Sequence, residues 1–254
     1  MNEYYVNIEN DIGFPYDPET VDLSNSEYVD SCIEKFKDNS SIGKIKQHVA
    51  INGNFNFNFK STTFQNVNKL FSKLDVSKST GCDTLSPKII KLSSNITVPF
   101  ITDMMNDMFT IKTFPKQLKC AEVQPLHKKG STLEMANYRP VSILTTFSKI
   151  FEKEINNQLK PFTDKVFVET LSAYRSNYST QHVTLQVTEA IKGSFDKNLC
   201  SGAVLTDVSK AFDCLPHDLI IAKLNAYNFS KDALVLISSY LRGRTLQIML
   251  MILL

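Results

Sequence analysis

The sequence predicts an α+β fold in which helices dominate, on three observations. Apolar residues recur at helical spacing through most of the chain from Thr63 onward. The centre, Cys120–Leu144, alternates and carries Pro125 and Pro140, which reads as two strands joined by the loop HKKGSTLEMANY. The short apolar run from Gly202 ends on a carboxylate, Asp207, as a buried strand delivering an acid at its tip does.

The elements follow in order. Residues 1–54 are acidic and Asn-rich and read as a loosely ordered lead-in, with a short helix near Tyr28–Phe36. In NGNFNFNFKS, Phe55, Phe57 and Phe59 alternate with Asn, a strand-like period of two. Phe64, Val67, Leu70, Phe71 and Leu74 then mark a helix, with Thr62 or Thr63 as its cap. LDVSKSTGCDTLSPKIIK is a turn-rich loop leading into a short helix. Thr97 and Pro99 open another helix, with Phe100, Ile101, Met104, Met105, Met108 and Phe109 on or near one face, a stripe suited to core packing. After the two central strands, helices are expected over Thr146–Leu159, Ser179–Phe195, Asp218–Tyr227 and Lys231–Leu241.

Composition bounds the function classes. The 254 residues suffice for one large domain or two small ones, and 43% hydrophobic with 21% charged residues is a globular balance. Net charge is +2 but unevenly spread: residues 1–60 hold ten acids and five lysines, whereas residues 61–254 hold 23 basic and 16 acidic residues. That later excess suits nucleic-acid contact as readily as an ordinary solvated surface. The five cysteines are far apart and odd in number, with no Cys-x-x-Cys pair. A zinc site is therefore not expected, and reduced thiols in an intracellular protein, cytoplasmic or nuclear, are. The N-terminus lacks the basic-apolar order of a secretion signal, and the apolar run Ile248–Leu254 is too short to span a bilayer. A membrane is thus not an expected partner.

The segment Gly202–His217, GAVLTDVSKAFDCLPH, carries the chemistry. Asp207 is followed by Val208, Ser209, Lys210, Ala211, Phe212 and a second carboxylate, Asp213. An acid at a strand end with an aromatic five residues on suits a divalent metal beside a flat or sugar-containing ligand. The same acid also suits a turn or helix cap, and Asp213, before Cys-Leu-Pro-His, reads as a turn or cap residue. The segment resembles motif A of reverse transcriptases, specifically those of non-LTR, LINE-like retrotransposons. Further segments match that family in the same order. Leu74–Lys91 resembles its Lys-Ser-x-Gly-x-Asp segment, Phe114–Gly130 its first fingers strand, and Asn137–Lys153 its Asn-Tyr-Arg-Pro-Val-Ser motif and the helix after it. Leu171–Thr180 resembles Gln-x-Gly-Phe-Arg-x-x-x-Ser-Thr; Arg175, Ser179 and Thr180 match, while Leu171, Ala173 and Tyr174 replace Gln, Gly and Phe. Ser238–Ile248 resembles the strand-forming segment after the first palm helices. The resemblance covers about residues 55–248.

It implies the fingers and partial palm of a right-hand polymerase, with 55–195 fingers-like and 196–254 a partial palm. The implied activity is RNA-directed DNA synthesis: addition of a dNTP to a DNA primer on an RNA template by a two-metal mechanism using Mg²⁺. Asp207 would be a catalytic carboxylate and metal ligand. Lys128, Lys129 and Arg139, with Val208 and Phe212, would bind the nucleotide: the lysines as point charges, the arginine as a bidentate fork. Phe212 would pack under the deoxyribose and exclude a 2′-hydroxyl. Lys128 and Lys129 equally suit a solvated hairpin tip, Phe212 equally suits a core, and Arg175 either touches template phosphate or caps structure. The sequence contains neither Asp-Asp nor Pro-Gln-Gly, which the family places later. The expectation is a reverse transcriptase truncated before its Ala-Asp-Asp motif and inactive by itself. Alternatives are a non-catalytic RNA- or DNA-binding remnant and a decayed fragment without a biochemical role.

Overall fold

The computed structural model describes residues 24–53, 55–168, 170–175, 177–207 and 215–248. In chain order these form α1 (Asn25–Lys35), α2 (Ser40–Asn52), α3 (Phe64–Ser72), α4 (Pro87–Leu92), α5 (Ser94–Ile111), β1 (Cys120–His127), β2 (Tyr138–Leu144), α6 (Thr146–Val166), α7 (Thr180–Asp196), α8 (His217–Ala226), α9 (Lys231–Leu241) and β3 (Thr245–Ile248). The result is helix-rich with one small mixed sheet.

The lead-in is not loose in its second half. Ser24 and Glu27 form a reciprocal capping box that starts α1, and the Asn39 side chain caps α2. Tyr28, Val29 and Cys32 are buried against α8 and α9, and Ile42 packs with Ala222 and Ala226 of α8. Lys35 pairs with Asp218 at 2.6 Å, Asp30 with Lys231 at 2.7 Å, and the Arg242 guanidinium lies 4.4 Å above the Tyr28 ring. Exposed pairs of this kind are worth little; the buried apolar side chains hold the helices down.

The alternating phenylalanines make a single bridge rather than a strand. The Phe57 amide donates to the Asn228 carbonyl, and the Ser230 amide to that of Phe57. The period of two still has its effect: Phe57 and Phe59 both turn inward, and Phe57 sits within 5.2 Å of the Phe59, Phe162 and Phe229 rings. Along α5, Val98, Ile101, Met105 and Met108 are buried, whereas Phe100 and Met104, expected on the same stripe, are exposed. The helix begins at Ser94, three residues before Thr97, with Pro99 inside it. α6 likewise runs seven residues past the expected end at Leu159 and carries Pro161 within it. Phe114 and Phe151, fully buried, meet edge to face at 6.2 Å in the middle of the core.

The sheet order is β2-β1-β3, with β1–β2 antiparallel and β1–β3 parallel. The expected strand from Gly202 to Asp207 does not form. These residues are coil and exposed, Val204 by 93% and Leu205 by 96%. A strand exists only through its ladder, and this run has no paired neighbour among the described residues. No helix among the described residues is long and apolar enough to cross a membrane.

Candidate functional site

The β1–β2 hairpin is where the sequence-predicted cations gather, and its register is set by two prolines. Pro125 faces Pro140. Neither has an N–H, so this must be a position where paired residues exchange no hydrogen bonds. Leu126–Arg139 is then a hydrogen-bonding position. The alternation continues past β1, where the Lys128 amide donates to the Asn137 carbonyl at 2.8 Å. A slip of one residue would place a proline where a donor is required. Pro125 is tolerated in the central strand because, among the described residues, β3 pairs with β1 as far as Val123, short of the proline.

Strand alternation fixes the faces. Ala121 and Val123 turn inward and are buried. Leu126 and Arg139 share the outer face and are exposed, and the continued pairing sets Lys128 on that face, diagonal to Arg139. Lys128 and Lys129 are exposed at the start of the connecting loop. Among the described residues no carboxylate pairs with Lys128, Lys129 or Arg139. Three unneutralised cations on one hairpin suit an anion with several oxygens.

The loop that presents them is held by residues whose role the sequence did not reveal. Asn137 donates from Nδ2 to the Ser131 carbonyl at 2.9 Å and to the Glu134 carboxylate at 3.1 Å. Tyr138 donates its hydroxyl to the Thr132 carbonyl at 2.9 Å, and its ring meets His127 at 5.2 Å. Gly130 adopts φ +84°, and a Cβ there would lie 2.7 Å from Asn137 Nδ2. Asn137 and Tyr138, the first half of Asn-Tyr-Arg-Pro, thus shape the loop that Arg139 and the lysines use. The other end of the hairpin is braced by Gly81. Its Cα presses on the β2–α6 junction so closely that a Cβ would lie 2.6 Å from the Thr145 amide nitrogen. Thr145 caps α6 through Ser148, and Ser148 Oγ donates to the Leu118 carbonyl just before β1.

The remaining candidates are not brought to the hairpin by any contact among the described residues. Arg175 donates to the Asp164 and Phe167 carbonyls at 3.1 and 3.3 Å, and its guanidinium lies over Tyr178. These contacts place it at the C-terminus of α6, where a cation is favoured by the last carbonyls. Asp207 is an exposed coil residue. Val208 and Phe212 lie outside the described residues, as does Asp213. Asp207 has the hard oxygen donors that Mg²⁺ takes. Among the described residues, however, no group of three or more His, Cys, Asp or Glu side chains converges, so these residues do not assemble a metal centre.

Comparison with known proteins shows what most of the hairpin is similar to. Residues 126–250 match the family described as Reverse transcriptase (RNA-dependent DNA polymerase). Over that stretch the chain is similar to retrotransposon reverse transcriptases. It is similar to the RNA-directed DNA polymerase from mobile element jockey of Drosophila melanogaster, 28% identical over 194 residues, which is 74% of this chain and 21% of the relative. It is also similar to the probable RNA-directed DNA polymerase from transposon BS of the same species, 27% identical over 188 residues, or 73% of this chain and 21% of the relative. A third relative is the transposon TX1 uncharacterized 149 kDa protein of Xenopus laevis, 26% identical over 152 residues, covering 60% of this chain and 12% of that protein. The chain therefore spans about a fifth of the length of the Drosophila relatives. The matched segment holds Lys128, Lys129, Arg139, Arg175 and Asp207, yet residues 24–125 contribute α1, α3, α4 and α5 to the same core, with α2 in a smaller cluster against α8.

Proposed function

We propose that this chain supplies the fingers and the start of the palm of a right-hand polymerase that adds dNTPs to a DNA primer on an RNA template. One observation carries this: the proline-locked hairpin that exposes Lys128, Lys129 and Arg139 with no carboxylate partner among the described residues. The lysines offer compact charges and Arg139 a planar fork, the complement of a triphosphate or a nucleic-acid backbone. Asp207 is the motif A carboxylate that ligates Mg²⁺ together with carboxylates from elsewhere in a longer polypeptide. By the resemblance, Phe212 would pack under the deoxyribose and Val208 would contribute to nucleotide binding. Bound Mg²⁺ would polarise the phosphoryl oxygens of the incoming nucleotide. With a single carboxylate from the family's metal set, the 254 residues alone are inactive.

The test uses the 254-residue chain with a labelled RNA–DNA hybrid and dNTP. Fluorescence anisotropy is expected to show binding that weakens steeply with salt. Arg139→Ala should weaken it roughly tenfold, the loss of a charged hydrogen-bonding group, and no primer extension should occur with Mg²⁺ or Mn²⁺. Salt-independent binding that Arg139→Ala leaves unchanged would overturn the hairpin assignment. Extension abolished by Asp207→Ala would overturn the inactivity of the chain by itself.

A further inference from the structure

Two thiols stand together at the base of the hairpin. Cys82 follows Gly81 in a tight turn closed by the Thr84 amide on the Gly81 carbonyl at 2.9 Å. Thr84 sits at φ +56°, a conformation a β-branched residue holds only when its surroundings impose it. The turn cannot back away, because Gly81 is wedged against the Leu144–Thr145 backbone. It aims Cys82 at the first residue of β1, and its Sγ lies 4.0 Å from the Cys120 carbonyl oxygen. Both cysteines are partly exposed, so a small reagent reaches them, whereas Cys32 is buried.

We propose that Cys82 and Cys120 are a dithiol site that closes to a disulfide on exposure to a small-molecule disulfide, tying the 81–84 turn to β1. Burial, followed by the contact with Cys120, pushes the Cys82 thiol up to about 11, so its thiolate is scarce near neutral pH. Attack by Cys120 is one of the two orders open to the pair. Its thiolate displaces one thiolate from the oxidant and leaves a mixed disulfide on Cys120. Cys82, once deprotonated, attacks the Cys120 sulfur and expels the second small thiol. Both cysteines lose a proton and together two electrons; the oxidant is reduced to two thiols. The product joins the turn, already braced on the end of β2, to the beginning of β1, and so locks the base of the cation-bearing hairpin.

The test treats the folded 254-residue chain with glutathione disulfide, digests it with trypsin without reduction and maps the cross-links by mass spectrometry. The expected product joins the peptide Ser79–Lys88 to Cys120–Lys128, two hydrogens lighter than their sum and lost on adding dithiothreitol. Because the partner is held in place, this link should exceed any link to Cys200 or Cys214 by roughly tenfold or more. Cys82→Ser and Cys120→Ser should each abolish the link and leave the remaining cysteine as a glutathione adduct. Links to Cys200 or Cys214 formed as often, or separate glutathione adducts on both cysteines of the unsubstituted chain, would overturn the site.

Discussion

Two regions of this chain carry the same kind of helix signal and end differently. In α5, Val98, Ile101, Met105 and Met108 follow helical spacing and are buried, with Val98 and Met105 wholly inaccessible. In α7, Val183, Val187 and Ile191 repeat every four residues, yet each is about half exposed and no residue of the helix is buried. α5 has α3 and α4 to lie against. α7 has no element packed closely along it among the described residues, and Thr184 and Thr188 turn their hydroxyls onto its own carbonyls. The strand signals divide in the same way: β1 and β2 form a ladder, whereas the apolar run at 203–205 stands exposed. An amphipathic period specifies an element's shape; burial needs a second surface.

The largest effect expected from this contrast is in stability. Phe151→Ala empties a fully buried site beside Phe114 and should cost about 3–5 kcal/mol. Ile191→Ala on α7 should stay within about 0.5 kcal/mol, as an exposed position does. Urea melts of both variants check this, and equal losses would break the comparison. Gly81→Ala comes next. Its methyl would meet backbone at 2.6 Å, and overpacking of this kind should cost about 1–3 kcal/mol, read by the same melts.

A smaller effect on the packed body is set by pH. Burial first, and then the nearby Glu152 carboxylate, raise the Tyr240 hydroxyl from 10.0 to about 12. Burial raises Tyr28 as well. A tyrosine whose pKa is higher folded than unfolded contributes stability that is fully present below about pH 10 and is lost as pH rises toward 12. Thermal melts across that window should show a falling midpoint, with a shallower fall in Tyr240→Phe. An unchanged slope in that variant would assign the alkaline loss to other groups. The last prediction concerns the unburied region. Its exposed apolar side chains, Val187, Leu205 and their neighbours, should drive self-association. Size-exclusion chromatography should show oligomers whose share falls when Val187 and Leu205 are replaced by Lys. A concentration-independent monomer of the unsubstituted chain would show that the surface is covered.

Much of the fold was legible because its cues are local. Thr63 capping α3, Ser86-Pro87 opening α4, Thr145 capping α6 and Ser230 capping α9 are side-chain-to-backbone interactions decided within a few residues. The helices of the lead-in were under-read although the Ser24/Glu27 capping pair stands in the sequence. Acidic, Asn-rich flanks masked a short apolar set whose partners, α8 and α9, lie nearly 200 residues away along the chain. At the candidate site, the cations were legible as residue types. The bracing by Gly81, Asn137 and Tyr138 was not, because each acts through a contact that spacing does not encode.

The sequence by itself determined which stretches become helices, that a hairpin forms at the centre, and the hairpin's register, since two prolines can face each other only where no hydrogen bond is exchanged. Only the tertiary structure decided which apolar faces are covered and where Arg175 donates. It also decided that Cys82 meets Cys120 and that Gly202–Asp207 lies open as coil. The physical reason is the range of the forces involved: caps, turns and prolines act through neighbouring backbone, whereas burial and ladder pairing depend on surfaces brought together from distant parts of the chain.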